Sequence, residues 1–318
     1  MTLSQPTLRI VARGSKLSLT QTEWVAAHLR AAHPGLHVEL VIIQTTGDKL
    51  RDISLAVLSG QGVFTKEIER ALLEDRIDVA VHSLKDLPTT LGDGLALAAI
   101  TRREEPNDCL VAAREVDLRS LGADQPIGTS SLRRQAQLLR MNPALKIVEL
   151  RGNVPTRIEK MMRGEAAAVV LAAAGMNRLE IHPPWKRVFS FEEMLPAPGQ
   201  GALGLETREN DAFSRTMLEA LNDSATSAEC RAERAFLRAF GGGCRAPIAA
   251  LGRVRDGVLA LDGLIASADA AQYFRGQIEG APEQAEALGT ELAERLMREG
   301  AQALLEQTTR DEAVIPDA

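Results

Sequence analysis

The chain holds 318 residues, 45% hydrophobic, 25% charged and only 3% aromatic, with a formal net charge of −6. That length exceeds one ordinary core, so two or three domains are expected. The acidic balance and scarce aromatics weigh against a broad nucleic-acid surface or a base-stacking platform. No apolar run approaches the roughly 20 residues that span a bilayer, and MTLSQPTLRIVARGS lacks the apolar core of a signal peptide. No nucleic-acid or membrane partner is expected. Cys109, Cys230 and Cys244 are an odd, widely spaced set. They point to a reducing, cytoplasmic setting, with no disulfide framework and no metal site.

Leu8–Ala12 reads as a buried strand, Arg13-Gly14-Ser15 as a turn, and residues 16–33 as an amphipathic helix through Leu19, Trp24, Val25 and Leu29. A strand–turn–helix unit aims backbone N–H groups at an anion, with Arg13 and Ser15 at its mouth. Val38–Gln44 is a second strand with a Thr45–Asp48 loop, and Phe64–Asp75 a helix. Ile77–Val81 is a third strand, and Pro88 disfavours helical geometry at Leu87, so an extended loop is expected after Val81. That loop carries His82, Ser83, Lys85 and Asp86 past a strand end, where reactive groups of α/β sheets gather. On spacing alone, Lys85 and Asp86 fit a weak surface ion pair at least as well, and His82 fits a packed, hydrogen-bonded residue.

Arg102–Asn107 is a charged, proline-bearing crossover, and Asp108–Ala112 resumes strand character. Residues 127–157 repeat the anion-site pattern: a strand ending at Ile127, the turn Gly128-Thr129-Ser130-Ser131, then a helix through Leu132, Gln135, Leu138 and Leu139. Lys146–Leu150 alternates like a strand and runs into Arg151-Gly152-Asn153. Arg133 and Arg134 oppose the helix dipole in the first turn, and Arg151 and Arg157 follow. Four arginines near glycine-rich turns in an acidic chain favour an anion site over a solvated basic face. Ala166–Ala172 is a strand leading to Arg178, and Leu195–Leu205 is a Gly/Pro-rich return. Two crossovers between two α/β lobes are the plan of a hinged clamp.

Ser227–Phe240 reads as a helix holding Cys230. Gly241-Gly242-Gly243-Cys244 presents a thiol near a turn, and Arg245 favours its thiolate, although a free cysteine is ordinarily a small buried hydrophobe. Strands near 248–254, 258–265 and 272–278 and a helix at 282–305 make an α+β domain, with a frayed tail from Thr308.

Taken together, VAVHSLKDLP, GTSSLRRQ, LRGNVPT, LPAPGQGALG and GGGCRAPI, in this order, resemble the porphobilinogen deaminase (hydroxymethylbilane synthase) family. The resemblance implies two periplasmic-binding-protein-like α/β domains with a hinged cleft, plus a C-terminal α+β domain. The expected divisions are 1–101 with 202–221, then 102–201, then 222–318. It implies a transferase that links four porphobilinogen molecules head to tail on a dipyrromethane primer, releasing ammonia and then, with water, hydroxymethylbilane for haem biosynthesis. The primer is expected on Cys244 through a thioether, and Asp86 is the expected catalytic carboxylate. Ser83, Lys85, Asp86, Thr129, Ser131, Arg133 and Arg134 are expected to hold the cofactor. Arg13, Ser15, Gln21, Arg151, Arg157, Arg178 and Gln200 are expected to hold substrate carboxylates, for which arginine's planar fork is suited. A monomer, coupled functionally to the next enzyme of the tetrapyrrole pathway, is expected.

The chain departs from the family at one loop, where Gln61 and Val57 stand in place of frequent lysines. Weaker substrate capture is expected there. A solute-binding clamp without chemistry would explain the strands and arginines, but would need neither Asp86 nor the Gly-Gly-Gly-Cys loop.

Overall fold

The computed structural model describes residues 6–43, 65–241 and 246–304. The Thr45–Asp48 loop, Val57, Gln61, Phe64, Cys244, Arg245 and the tail from Thr308 lie outside the described residues. The chain divides into two compact units, one running to Glu104 and again from Gly201 to Ser227, the other comprising Glu105–Gln200 and the chain from Ala228 onward.

In the first unit, β1 (Thr7–Arg13) pairs in parallel with β2 (His37–Ile43) on one side and β3 (Val79–Ser83) on the other. β4 (Leu95–Ile100) and a returning strand, Leu203–Arg208 (β10 in chain order), complete the sheet in the order β2-β1-β3-β10-β4. β10 runs antiparallel to both its neighbours. Leu8, Ile10, Val11 and Ala12 of β1 are buried because both faces of its middle are covered. Leu8 and Ile10 pack with Val25 and Leu29 of the helix Lys16–Ala32, whereas Val11 packs with Ile68 and Leu72 of the helix Lys66–Leu73. Each such fully buried side chain contributes about 1.5–3 kcal/mol. The chain re-enters this unit at Gly201, whose φ is +92° and where a Cβ would lie 2.3 Å from the Glu104 carbonyl oxygen. Only glycine admits that approach.

In the second unit, β5 (Asp108–Ala112), β6 (Ile127–Gly128), β7 (Ile147–Val148), β8 (Ala168–Ala172) and β9 (Trp185–Val188) form a sheet of order β7-β6-β8-β5-β9. β6 is parallel to β7 and β8, and β5 is antiparallel to β8 and β9. A separate antiparallel meander, β11 (Ile248–Arg255), β12 (Val258–Ala266) and β13 (Tyr273–Gly280), belongs to the same unit. One face of the meander buries Leu259, Leu261 and Ile265 with Phe236 of the helix Ser224–Ala239 and Leu292 of the helix Ala285–Leu296. Its other face, with Ala249, Leu251 and Leu264, packs on Ala136 and Leu195. The architecture is therefore α/β, two five-stranded mixed sheets, with an added C-terminal antiparallel sheet and its helices.

Several local expectations shift. The third strand runs to Ser83, and Leu84–Asp86 is a 3-10 turn instead of an extended loop. Leu84 and Leu87 are 1% and 4% exposed, so burying both apolar side chains winds the chain between them. Pro88 still acts as expected, since Leu87 is extended at φ −86° and ψ 129°. The predicted strand Lys146–Leu150 shrinks to Ile147–Val148. A helix over Val154–Met162, unpredicted, starts at Asn153, whose side chain accepts from Thr156 N–H at 2.9 Å. β4, β9 and the helix Ala212–Glu219 were likewise not foreseen, and the last helix is broken at Gly300, where φ is +125°.

Candidate functional site

In the first unit the predicted residues gather at the carboxyl ends of β1 and β3. Ser15 caps the helix Lys16–Ala32, its Oγ accepting from Ser18 N–H at 3.3 Å, while Arg13 N–H donates to Ser18 Oγ at 2.9 Å. Arg13 and Ser15 are half-buried beside exposed Gly14. Gln21, 4% exposed, projects from that helix and its Nε2 donates to Ser83 Oγ at 3.0 Å, joining the helix to β3. Beyond Ser83 the 3-10 turn is anchored by Leu84 N–H donating to Ala202 O at 3.0 Å. It lies close over β10, for a Cβ on Gly204 would meet Leu84 Cδ1 at 2.9 Å. The turn leaves Lys85 and Asp86 exposed. The Asp86 carboxylate has no hydrogen-bond or ion-pair partner among the described residues. His82 faces inward instead, its Nε2 2.9 Å from Glu206 Oε2 in a buried pair.

The second unit holds a buried charged cluster that the sequence reading did not foresee. Arg133 and Arg134, 7% and 5% exposed, both reach Asp108, which is fully buried. Arg133 donates to Asp108 Oδ2 at 2.7 Å and Arg134 to Oδ1 at 2.7 Å. Gln200, 1% exposed, donates to the same Oδ1 at 3.0 Å and to Pro106 O at 2.6 Å. Arg133 also donates to Leu195 O at 2.7 Å, and Arg134 to Val170 O at 2.9 Å. Burial raises the Asp108 pKa, but the fields and hydrogen bonds of the two guanidiniums outweigh it and hold the carboxyl far below the usual carboxylate range. The sequence expectation of two arginines opposing the helix dipole is thereby completed, because Asp108 supplies the missing negative charge. Ser131 caps the helix Leu132–Met141 by accepting from Arg134 N–H at 3.4 Å, and Thr129 Oγ1 accepts from Ser131 N–H at 3.2 Å.

The remaining arginines are less enclosed. Arg151 bonds to the Glu149 carboxylate through Nε at 2.7 Å and through a terminal nitrogen. Arg157 Nε, on the helix Val154–Met162, donates to Gly152 O at 2.8 Å, back to the loop that carries Arg151. Arg178 is half-buried in the last turn of the short helix Ala173–Arg178. Cys109 and Cys230 are both fully buried. Burial, reinforced by the neighbouring Asp108 carboxylate, pushes the Cys109 thiol up to about 12, leaving negligible thiolate at neutral pH. No group of three or more His, Cys, Asp or Glu among the described residues is arranged to hold a metal ion, and no described helix is long and apolar enough to cross a membrane.

The second-unit cluster fits a ligand bearing carboxylates. The Arg134 Nε is buried without a hydrogen-bond partner. The Nε and second terminal nitrogen of Arg133 also have no partner among the described residues. Guanidinium donors left over inside an otherwise satisfied cluster are matched by an anion.

Comparison with known proteins gives the family. Residues 8–216 match the family model described as "Porphobilinogen deaminase, dipyromethane cofactor binding domain", and residues 227–298 match "Porphobilinogen deaminase, C-terminal domain". A porphobilinogen deaminase of Syntrophus aciditrophicus is 47% identical over 94% of this chain and 98% of its own length. One from Syntrophotalea carbinolica is 47% identical over 95% of this chain and 96% of its own. Among solved structures, the methionine binding protein MetQ aligns with 68% of this chain and 89% of its own at 15% identity and a TM-score of 0.43. With two family models spanning nearly all of the sequence and relatives matched along almost their full length, the chain belongs to the porphobilinogen deaminase family, whose cofactor is dipyrromethane.

Proposed function

We propose that this chain is a transferase that joins four porphobilinogen molecules head to tail and releases linear hydroxymethylbilane, with Asp86 as its catalytic carboxylate. The observation that carries the assignment of Asp86 is its exposed carboxylate, without a partner among the described residues, at the end of β3. When bound, dipyrromethane supplies the electron-rich pyrrole terminus from which the chain grows. Loss of ammonia from porphobilinogen leaves a cation with a polarised pyrrole N–H. An ionised carboxylate accepting that N–H stabilises the positive charge and orients the ring. The same carboxylate can carry a proton when the condensed ring regains aromaticity. Ser83, bonded to Gln21, sets the strand end from which the turn departs.

The cofactor is assigned to Cys244. Cys109 and Cys230 are buried, and the thiol of Cys109 is held neutral. Attack on an electrophilic methylene requires a thiolate with access. Arg133 and Arg134 would hold cofactor carboxylates through their remaining donors, supported by Thr129 and Ser131 at the helix cap; Ser83 and Lys85 are assigned to the cofactor as well. Arg13, Ser15, Arg151, Arg157 and Arg178 would take the acetate and propionate groups of substrate rings. Three folding domains, divided at 101/102, 201/202 and 221/222, a monomeric state, a cytoplasmic location and functional coupling to the next tetrapyrrole enzyme complete the proposal.

Intact mass of the denatured protein, followed by peptide mapping, tests the assignment. A dipyrromethane-sized addition on the Cys244 peptide is expected, and Cys244→Ser should lack it. An adduct elsewhere, or none after incubation with porphobilinogen and no product, would overturn it.

A further inference from the structure

We propose that Asp108 is a positioning residue for cofactor capture, fixing the guanidiniums of Arg133 and Arg134 so that their remaining donors form a ready-made carboxylate site before the cofactor arrives. The proposal rests on the reading of Arg133 and Arg134 as cofactor holders. Asp108 is fully buried, and each of its oxygens takes one arginine at 2.7 Å. Each guanidinium is then held by a second bond to a strand or loop carbonyl, Leu195 O for Arg133 and Val170 O for Arg134. Arg134 is held through both terminal nitrogens, which fixes its planar fork in rotation as well as in place, whereas Arg133 makes both bonds through one terminal nitrogen and keeps its Nε and other terminal nitrogen for a ligand.

Charge counting gives the same result. Two buried guanidiniums and one buried carboxylate leave one positive charge in the cluster. The Arg134 Nε is buried with no partner, and two further Arg133 nitrogens have none among the described residues. One incoming carboxylate supplies the missing charge and accepts from the Arg133 nitrogens. Without Asp108, the two arginines would repel and swing, and capture would carry the cost of ordering them. Gln200 belongs to this support. Its amide donates to Asp108 Oδ1 and to Pro106 O, which ties the Gly/Pro-rich return to the cluster.

The experiment follows covalent loading, not turnover. Apoprotein of wild type, Asp108→Asn, Arg133→Gln and the double variant is incubated with porphobilinogen, and the dipyrromethane-sized adduct is timed by intact mass. Asp108→Asn is expected to keep its far-UV circular dichroism and to load at least about tenfold more slowly, the loss that one charge-assisted hydrogen bond represents. If Asp108 acts through Arg133, the double variant loads within about twofold of Arg133→Gln alone, because coupled residues are not additive. Loading of Asp108→Asn within twofold of wild type, or losses that multiply in the double variant, would overturn the proposal. Should Asp108→Asn not fold, Asp108→Glu keeps the charge but displaces it, and loading at the wild-type rate by that variant would overturn the proposal equally. Absence of any adduct on wild type would instead sink the family reading of the cofactor, so the two failures are told apart.

Discussion

The end of β3 in the first unit and the Asp108 cluster in the second treat charge in opposite ways. Asp86 is exposed and has no partner among the described residues. Arg133 and Arg134 are buried and already bound to a carboxylate. A group that must respond to a charge appearing during reaction keeps its carboxylate available, held on a turn anchored by buried Leu84 and Leu87. A group that must hold a permanent carboxylate is built in advance and has its desolvation cost met by an internal counter-ion. Under the proposed roles, the first unit would supply a reactive charge on a buried support, and the second a receptor built in advance.

The comparison breaks first at Asp86. Replacing it with Asn removes the charge and almost no volume. Folding and covalent loading should persist while turnover falls by at least about 100-fold, the scale of losing one preorganised electrostatic contact in a transition state. Single-turnover ammonia release measures it, and near-normal turnover would remove Asp86 from its role.

Asp108 should show the reverse, with a large effect on stability. Removing one partner of a buried ion pair costs about 3–5 kcal/mol, so urea unfolding of apo Asp108→Asn should show a loss of that order. The loss should also depend on pH in a defined direction. The folded-state pKa of Asp108 is depressed, so its contribution is full above the unfolded carboxylate value of about 4 and is lost as pH falls toward the folded value. Unfolding curves of wild type and Asp108→Asn should therefore converge as pH drops below about 4. A gap that widens with acid would mean that the cluster does not hold an ionised Asp108.

Much of this difference lay beyond a reading of the linear sequence, for physical reasons. Leu8, Ile10 and Val11 and the Ser15 cap announced β1 and its helix, because apolar runs and capping hydroxyls act locally. Asp108 gave no such signal. It opens a strand, and its two arginines lie 25 and 26 residues further on, so only the tertiary fold joins them. The strand end near Ser83 was misplaced because His82 and Ser83 are polar, yet Glu206 on β10 and Gln21 satisfy them across the fold. The Val154–Met162 helix carries a local signal in Asn153 and Pro155, a cap followed by a proline in the first turn. The roles of Asp86 and Cys244 came from motif likeness, since exposure alone does not name a reaction.

Cys109 sharpens the contrast with a smaller effect. Its thiol adjoins Asp108 in β5, is fully buried, and donates to Leu171 O at 3.3 Å. Proximity to the cluster would make it a rival attachment point if the cluster activated it. Burial and the neighbouring carboxylate instead push its pKa up to about 12. Cys109→Ala should therefore load the cofactor at the wild-type rate and lose only about 1–3 kcal/mol, through the lost sulfur contacts and the lost thiol bond to the Leu171 carbonyl. Slower loading at unchanged stability would show that the thiol takes part in capture, and that the second unit is reactive as well as receptive.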